Sequence, residues 1–196
     1  GNTSVASSAL SVTVDTAGPT ISDIANQTIN EDSNSGALVF TIGDVLTGNA
    51  SNLTLELGST NTALVPASSL VLGGSGANRT LTATPPADQN GSTTITITVT
   101  DPAGNTGSDS LVLTVTVVND KPTLASLFNL VIFEDAITQT VSLSGITVGP
   151  SNETGQTLTV TAKSSNTSII PDPGVTYTSP NATGTLSYTP AANANG

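Results

Sequence analysis

Branched aliphatic residues alternate with threonine and serine along much of this chain. Ile95, Ile97 and Val99 are spaced by threonines, and Leu111, Leu113, Val115 and Val117 continue the pattern. Leu38, Phe40 and Ile42 form an earlier row, Leu53, Leu55 and Leu57 another, and Leu81 with Ala83 a shorter one. Successive side chains on a strand point to opposite faces, so each row predicts a strand with one face on a core. Val141 with Leu143, Leu158 with Val160, and Leu186 with Tyr188 repeat the pattern further on. Asp101-Pro102-Ala103-Gly104-Asn105 has the residues of a hairpin turn between two of these strands. No segment shows a helical period. About seven short strands per hundred residues, with turns between them, is the pattern of a two-sheet sandwich, so the expected fold is all-β with Greek-key connections.

The chain repeats itself. Displaced by 103 positions, Gly1-Asn2-Thr3 falls on Gly104-Asn105-Thr106, and Leu10, Val12 and Val14 fall on Leu113, Val115 and Val117. Pro19-Thr20 falls on Pro122-Thr123 and Glu31-Asp32 on Glu134-Asp135. Further on the displacement becomes 105, matching Asn61-Thr62 to Asn166-Thr167, Pro66 to Pro171, and Asn90-Gly91 to Asn195-Gly196. A fixed period of this kind marks a tandem array of one structural unit. Residues 1–17 are expected to be the last strand of a preceding unit, 18–121 a complete unit, and 122–196 a second unit cut short. The Pro-containing stretch from Val117 to Pro122 is expected to link them.

Charge narrows the partners. Three Lys and Arg stand against fourteen Asp and Glu, for a formal charge of -11. Phosphate backbones and anionic membrane surfaces are bound by clusters of Lys and Arg, so neither nucleic acid nor membrane adsorption is expected. No apolar run reaches the roughly 18 residues of a membrane helix. There is no Cys and no His, which removes disulfides, thiol chemistry and the usual zinc ligands. Without His, and with no Lys beside a plausible nucleophile, no nucleophile–base pair is visible, and the chain is not expected to be an enzyme. Gly73-Gly74-Ser75-Gly76 lacks the Lys-Ser/Thr of a phosphate loop and reads as a turn. Nine Asn-x-Ser/Thr sequons occur, as expected of a chain so rich in Ser, Thr and Asn.

Three short motifs carry a resemblance. Val118-Asn119-Asp120-Lys121-Pro122-Thr123 stands at the expected junction; Asn30-Glu31-Asp32 and Phe133-Glu134-Asp135 follow the start of each unit; and Pro86 to Gly91 and Pro190 to Gly196 precede or would precede a Thr/Ile/Val strand. Together they resemble the cadherin-like and immunoglobulin-like repeats of large bacterial surface proteins and adhesins. The resemblance implies tandem immunoglobulin-like (cadherin-like) sandwiches in an extracellular or cell-surface protein of bacterial origin. It implies a stalk or spacer whose partners are neighbouring repeats, further copies of itself or a host surface ligand. Two other roles remain open: a filament subunit joined head to tail by strand donation, and a ligand-binding adhesion module.

The resemblance also implies Ca²⁺ at domain junctions. Its expected ligands are Glu31, Asp32, Asp88, Asn90, Asn119 and Asp120, with Glu134 and Asp135 as the corresponding residues of the second unit. Glu153 is a further ligand in the second unit, and at the other end of the first unit Asp15 is expected to meet Asp44, or Asp101 with Asn105. Such a set is all oxygen, the donor type calcium takes. The alternative is an ordinary turn at Asn119-Asp120 and a solvated bend at Glu31-Asp32.

Overall fold

A computed structural model describes residues 14–46 and 48–196. Most of the segment expected to be the last strand of an earlier unit, residues 1–17, lies outside the described residues. The chain divides into two compact units, Gly1–Val117 and Val118–Gly196.

The first unit is an immunoglobulin-like sandwich, with eight strands among the described residues: β1 Thr20–Ile21, β2 Gln27–Asn30, β3 Leu38–Gly43, β4 Thr54–Ser59, β5 Leu70–Ser75, β6 Asn78–Ala83, β7 Gly91–Thr100 and β8 Thr106–Thr116. One sheet has the order β1-β3-β6-β5 and the other β2-β8-β7-β4. The first strand therefore changes sheets, with β1 antiparallel to β3 and β2 parallel to β8. Leaving one ladder for another exposes backbone groups that need new partners. Here Asp109 Oδ2 accepts from the Ile24 N–H at 2.8 Å, and Asn26 Oδ1 accepts from the Val112 N–H at 2.7 Å.

The alternation seen in the sequence becomes the core. Phe40 and Ile42 of β3, Leu81 and Ala83 of β6, Ile95, Ile97 and Val99 of β7, and Leu111, Leu113 and Val115 of β8 pack into one buried cluster. Val39 and Val112, one position out of phase, face outward. Leu38, Leu55 and Leu57 pack against the cluster while only partly buried. Val117 is exposed, because β8 ends at Thr116 and the inward alternation ends with it. Helix among the described residues is confined to three short 3-10 turns.

The second unit holds β9 Gln139–Leu143, β10 Gly174–Thr176 and β11 Gly184–Tyr188 in one sheet of order β10-β11-β9. These are the counterparts of β3, β5 and β6. Local contacts repeat with them: Ala125 N–H donates to Ser144 O at 2.9 Å as Ser22 N–H donates to Thr41 O at 2.9 Å. The strand expected at Leu158 and Val160 is absent, and that stretch joins no ladder. Its counterpart β4 is held by β7 alone, and a lone strand without a pairing partner is not stable.

Candidate functional site

Oxygen-bearing side chains gather at both ends of the first unit. At one end, loops deliver Asp15, Asp44 and Asp101, each offering a carboxylate oxygen within 4.8 Å of the others. Asp15 lies in the segment before β1, Asp44 follows β3, and Asp101 opens the β7–β8 hairpin. Asp101 is held by its own turn. Its Oδ1 accepts from the Asn105 N–H and its Oδ2 from the Asn105 side-chain amide, both at 2.9 Å. Gly104, in the left-handed region at φ 91°, lets the turn close between them. The Asn105 amide also reaches the Asp15 carbonyl at 3.4 Å, tying the two loops.

Burial opposes ionisation of Asp101. The hydrogen bonds from the Asn105 side chain and from the backbone N–H groups of Asn105, Ala103 and Gly104 outweigh it and hold the carboxyl below its ordinary value. A depressed folded-state pKa contributes stability that is present above the unfolded value and lost as pH falls through the folded one. Asp101→Asn should therefore be less stable than the parent at pH 7, and the gap should close below about pH 4, where an unfolded Asp protonates. Urea unfolding of both proteins at neutral and acid pH measures this; a gap independent of pH would show that the charge plays no part.

The other end of the first unit receives Glu31, Asp32 and Asp88. Glu31 is buried, and its N–H donates to Thr116 O at 2.9 Å, which places it where β2 and β8 finish together. Asp32 and Asp88 come within 4.8 Å through one carboxylate oxygen each. Both adopt the left-handed conformation at φ 59°, a region that Asp tolerates better than most residues. The Asp88 N–H donates to Asp32 Oδ1 at 3.0 Å. In the second unit Asp135 and Asn193 repeat the arrangement at φ 56° and 55°, with the Asn193 N–H on Asp135 Oδ1 at 2.8 Å. This clasp between two loops uses a side-chain oxygen at the first position and only a backbone N–H at the second, so it survives the change from Asp88 to Asn193. Asp32, Asp88 and Asp135 are expected metal ligands, and nothing in the sequence marks the clasp, since its partners in the first unit are 56 residues apart.

Asn119 and Asp120 open the second unit. The Asp120 N–H donates to Glu153 Oε1 at 3.2 Å, and Gln156 donates its side-chain amide to Asn119 Oδ1 at 2.9 Å. Glu153 is buried. Gly149 lies against this pair, at φ 125° and with space for a Cβ only 3.3 Å from the Asp120 side chain and 3.5 Å from that of Glu153. Asn90, Glu134 and Asp135 are exposed, and the carboxylates of Glu134 and Asp135 join no group of three among the described residues.

No family model matches the chain, and no curated protein does. Among solved structures, it is similar to the titin domains Z1Z2 in complex with telethonin, at 12% identity and TM-score 0.39 over 90% of this chain and 84% of that one. It is similar to protocadherin gamma B7 extracellular cadherin domains 1–4, at 13% identity and TM-score 0.42 over 89% of this chain and 42% of that one. A third is SGBP-B of the Bacteroides ovatus mixed-linkage glucan utilization locus, in complex with a mixed-linkage heptasaccharide, at 18% identity and TM-score 0.34 over 92% and 42%. No helix among the described residues is long and apolar enough to cross a membrane.

Proposed function

We propose that this chain is a spacer segment of an extracellular, adhesin-like bacterial protein, built from repeated sandwiches and stiffened by calcium, with no catalytic role. The observation that carries the reading is the repetition itself: counterparts of β3, β5 and β6, turn hydrogen bonds and the Asp-to-backbone clasp recur at displacements of 103 to 105 residues. A repeated unit placed end to end sets a distance. In small-angle scattering the chain should have a radius of gyration well above the ~16 Å of a compact globule of this length. A value near that of a globule would overturn the spacer reading.

Calcium fits the donor set. Three carboxylates within 4.8 Å repel one another by about 1 kcal/mol per pair even at the dielectric of water, and a hard divalent cation relieves that repulsion. Asp15, Asp44 and Asp101 would supply three of the six to eight oxygens, the remainder coming from backbone carbonyls and water. The same reading extends to Glu31, Asp32 and Asp88 in the first unit and to Asn119, Asp120 and Glu153 in the second, each unit taken by itself. Calcium at about a hundredfold over its dissociation constant should add roughly 2.7 kcal/mol to the native state. Calorimetric melting in millimolar calcium and in chelator measures this, with Asp44→Asn expected to lose part of the gain. Identical melting in the two buffers would reduce the clusters to solvated turns.

A further inference from the structure

Among the described residues of the first unit, three of the four sheet edges are guarded. A strand edge presents unpaired N–H and C=O groups, and proteins protect it with charge, proline or shortness. β1 has two residues and follows Pro19 directly. β2 has four and runs into Glu31 and Asp32. β4 carries the exposed Glu56 near its centre. β5 has six residues, ends the β1-β3-β6-β5 sheet and has none of these protections. From Leu57 to Asn78 there is no Asp, Glu, Lys or Arg. Val71 faces solvent at this edge, at 60% exposure. In the second unit the counterpart β10 has only three residues and follows Asp172-Pro173 directly.

The register of β5 on β6 decides which of its backbone groups are left over. Val71 lies opposite Thr82, Leu72 opposite Leu81 and Gly73 opposite Thr80. In an antiparallel pair, every second residue exchanges hydrogen bonds with the residue opposite. The Thr84 N–H donates to Ser69 O at 2.8 Å, so Val71 and Gly73 follow in that phase and bond to β6. The groups of Leu70, Leu72 and Gly74 face away from β6. The Leu70 N–H donates to Ala67 O, closing the 3-10 turn before the strand. Gly74, at φ 79°, leaves the extended conformation. Leu72 is therefore the residue of β5 that directs both an N–H and a C=O from regular strand to the open side.

We infer that β5 pairs antiparallel with β5 of a second copy of this chain, about a two-fold axis at Leu72. Leu72 would exchange both hydrogen bonds with Leu72 of the other copy, and Val71 would lie opposite Gly73. That second pair is the close, non-hydrogen-bonded kind, with Cα atoms about 4.5 Å apart. Valine fits over glycine there, because Gly73 adds no side chain and Val71 gains cover. The Leu72 side chain, only partly buried against the core, would be covered as well. Moving the axis by half a residue would set Leu72 opposite Gly73, whose groups are already used by β6. The edge itself therefore specifies a second copy: its residues match large to small about the axis, and a two-fold contact closes on itself with both open edges used. Two chains of charge -11 repel, and this edge joins them along a stretch free of carboxylates. The contact is small, so the dimer is a weak one that forms at high concentration. It rests on neither the calcium clusters nor the spacer reading.

Sedimentation of the full chain should show a mass rising from 19.4 kDa towards twice that value as concentration approaches about 1 mM, a range that detects dissociation constants of that order. Over the same range the Leu72 amide should exchange more slowly in step with the dimer formed, about twofold where half the chains are paired. Val71 is exposed, so Val71→Lys should melt close to the parent yet stay monomeric, since it places a charge on the edge. Val39→Lys, on the solvent face of β3 two strands away, should dimerise as the parent does. Both variants lower the net negative charge, so added repulsion cannot explain a loss. A chain that stays monomeric up to about 1 mM overturns the inference. So does a dimer that leaves Leu72 exchange unchanged. A dimer that Val39→Lys abolishes as fully as Val71→Lys also overturns it, because the copies would then stack sheet on sheet.

Discussion

Gly107→Ala should destabilise the first unit by about 3 kcal/mol or more, the upper part of the range for overpacking. Gly107 is the second residue of β8, where the chain entering β1 crosses it. A Cβ at this position would fall on the carbonyl oxygen of Pro19, with the Pro19 carbonyl carbon at 3.1 Å. Across the same crossing, a Cβ on Gly18 would lie 2.8 Å from the Thr106 carbonyl oxygen. The obstacle is backbone, so no rotamer change relieves it. Either the entry to β1 moves, or β8 shifts within its ladder, where it pairs with β7 from Thr106 through Val115. Thermal melting should fall by roughly 10 °C or more, at about 4 °C per kcal/mol for a domain of this size. Gly58→Ala is the control: it is also in a strand, but its added Cβ would meet nothing within 4 Å. It should melt at or slightly above the parent temperature, since alanine reduces the entropy of the unfolded chain. Equal melting of the two variants would mean that the crossing has room to relax.

Leu113→Ala should cost about 2–5 kcal/mol, the range for truncating a buried leucine. Leu113 is fully buried in β8, the strand that pairs with both β7 and β2. Its side chain belongs to the cluster that joins the two sheets. The cost has two parts: the lost transfer free energy of the removed carbons, and a cavity that paired strands on either side hinder from collapsing. Leu113→Met, close in volume, should cost less than about 1.5 kcal/mol. Val39→Ala, in the opposite sheet but facing solvent, should stay within about 0.5 kcal/mol of the parent. Urea midpoints of the three variants test the ordering, and a Val39 effect equal to that of Leu113 would contradict the assigned faces of β3.

Much of the first unit was legible in the sequence because strand alternation is local. Ile95, Ile97 and Val99 had to share a face whatever they packed against, and the turn at Asp101 to Asn105 was marked by its Pro, Gly and Asn. Alternation at Leu158 and Val160 is just as regular, yet no strand forms there. A ladder is a property of two segments, and periodicity reports on one. The switch of the first strand between sheets was also out of reach, since it depends on Asp109 and Asn26 meeting backbone groups more than eighty residues away.

The candidate site divides the same way. Composition restricted any metal to an oxygen-liking cation, because the chain has no Cys or His to offer. Pairing Asp15 with Asp44 or with Asp101 followed from which ends of the strands their loops join. What the sequence could not show was that some of these carboxylates also hold loops together. Asp32 and Asp135 accept backbone N–H groups from distant turns, while Asp101 is fixed by Asn105 four residues along. The sequence alone determined the all-β class, the repeat and the inward faces of β3, β4, β6, β7 and β8, because these depend on neighbours along the chain. The tertiary structure decided which strands found partners and which acidic groups converged. Those outcomes depend on hydrogen bonds and burial between segments that only folding brings together.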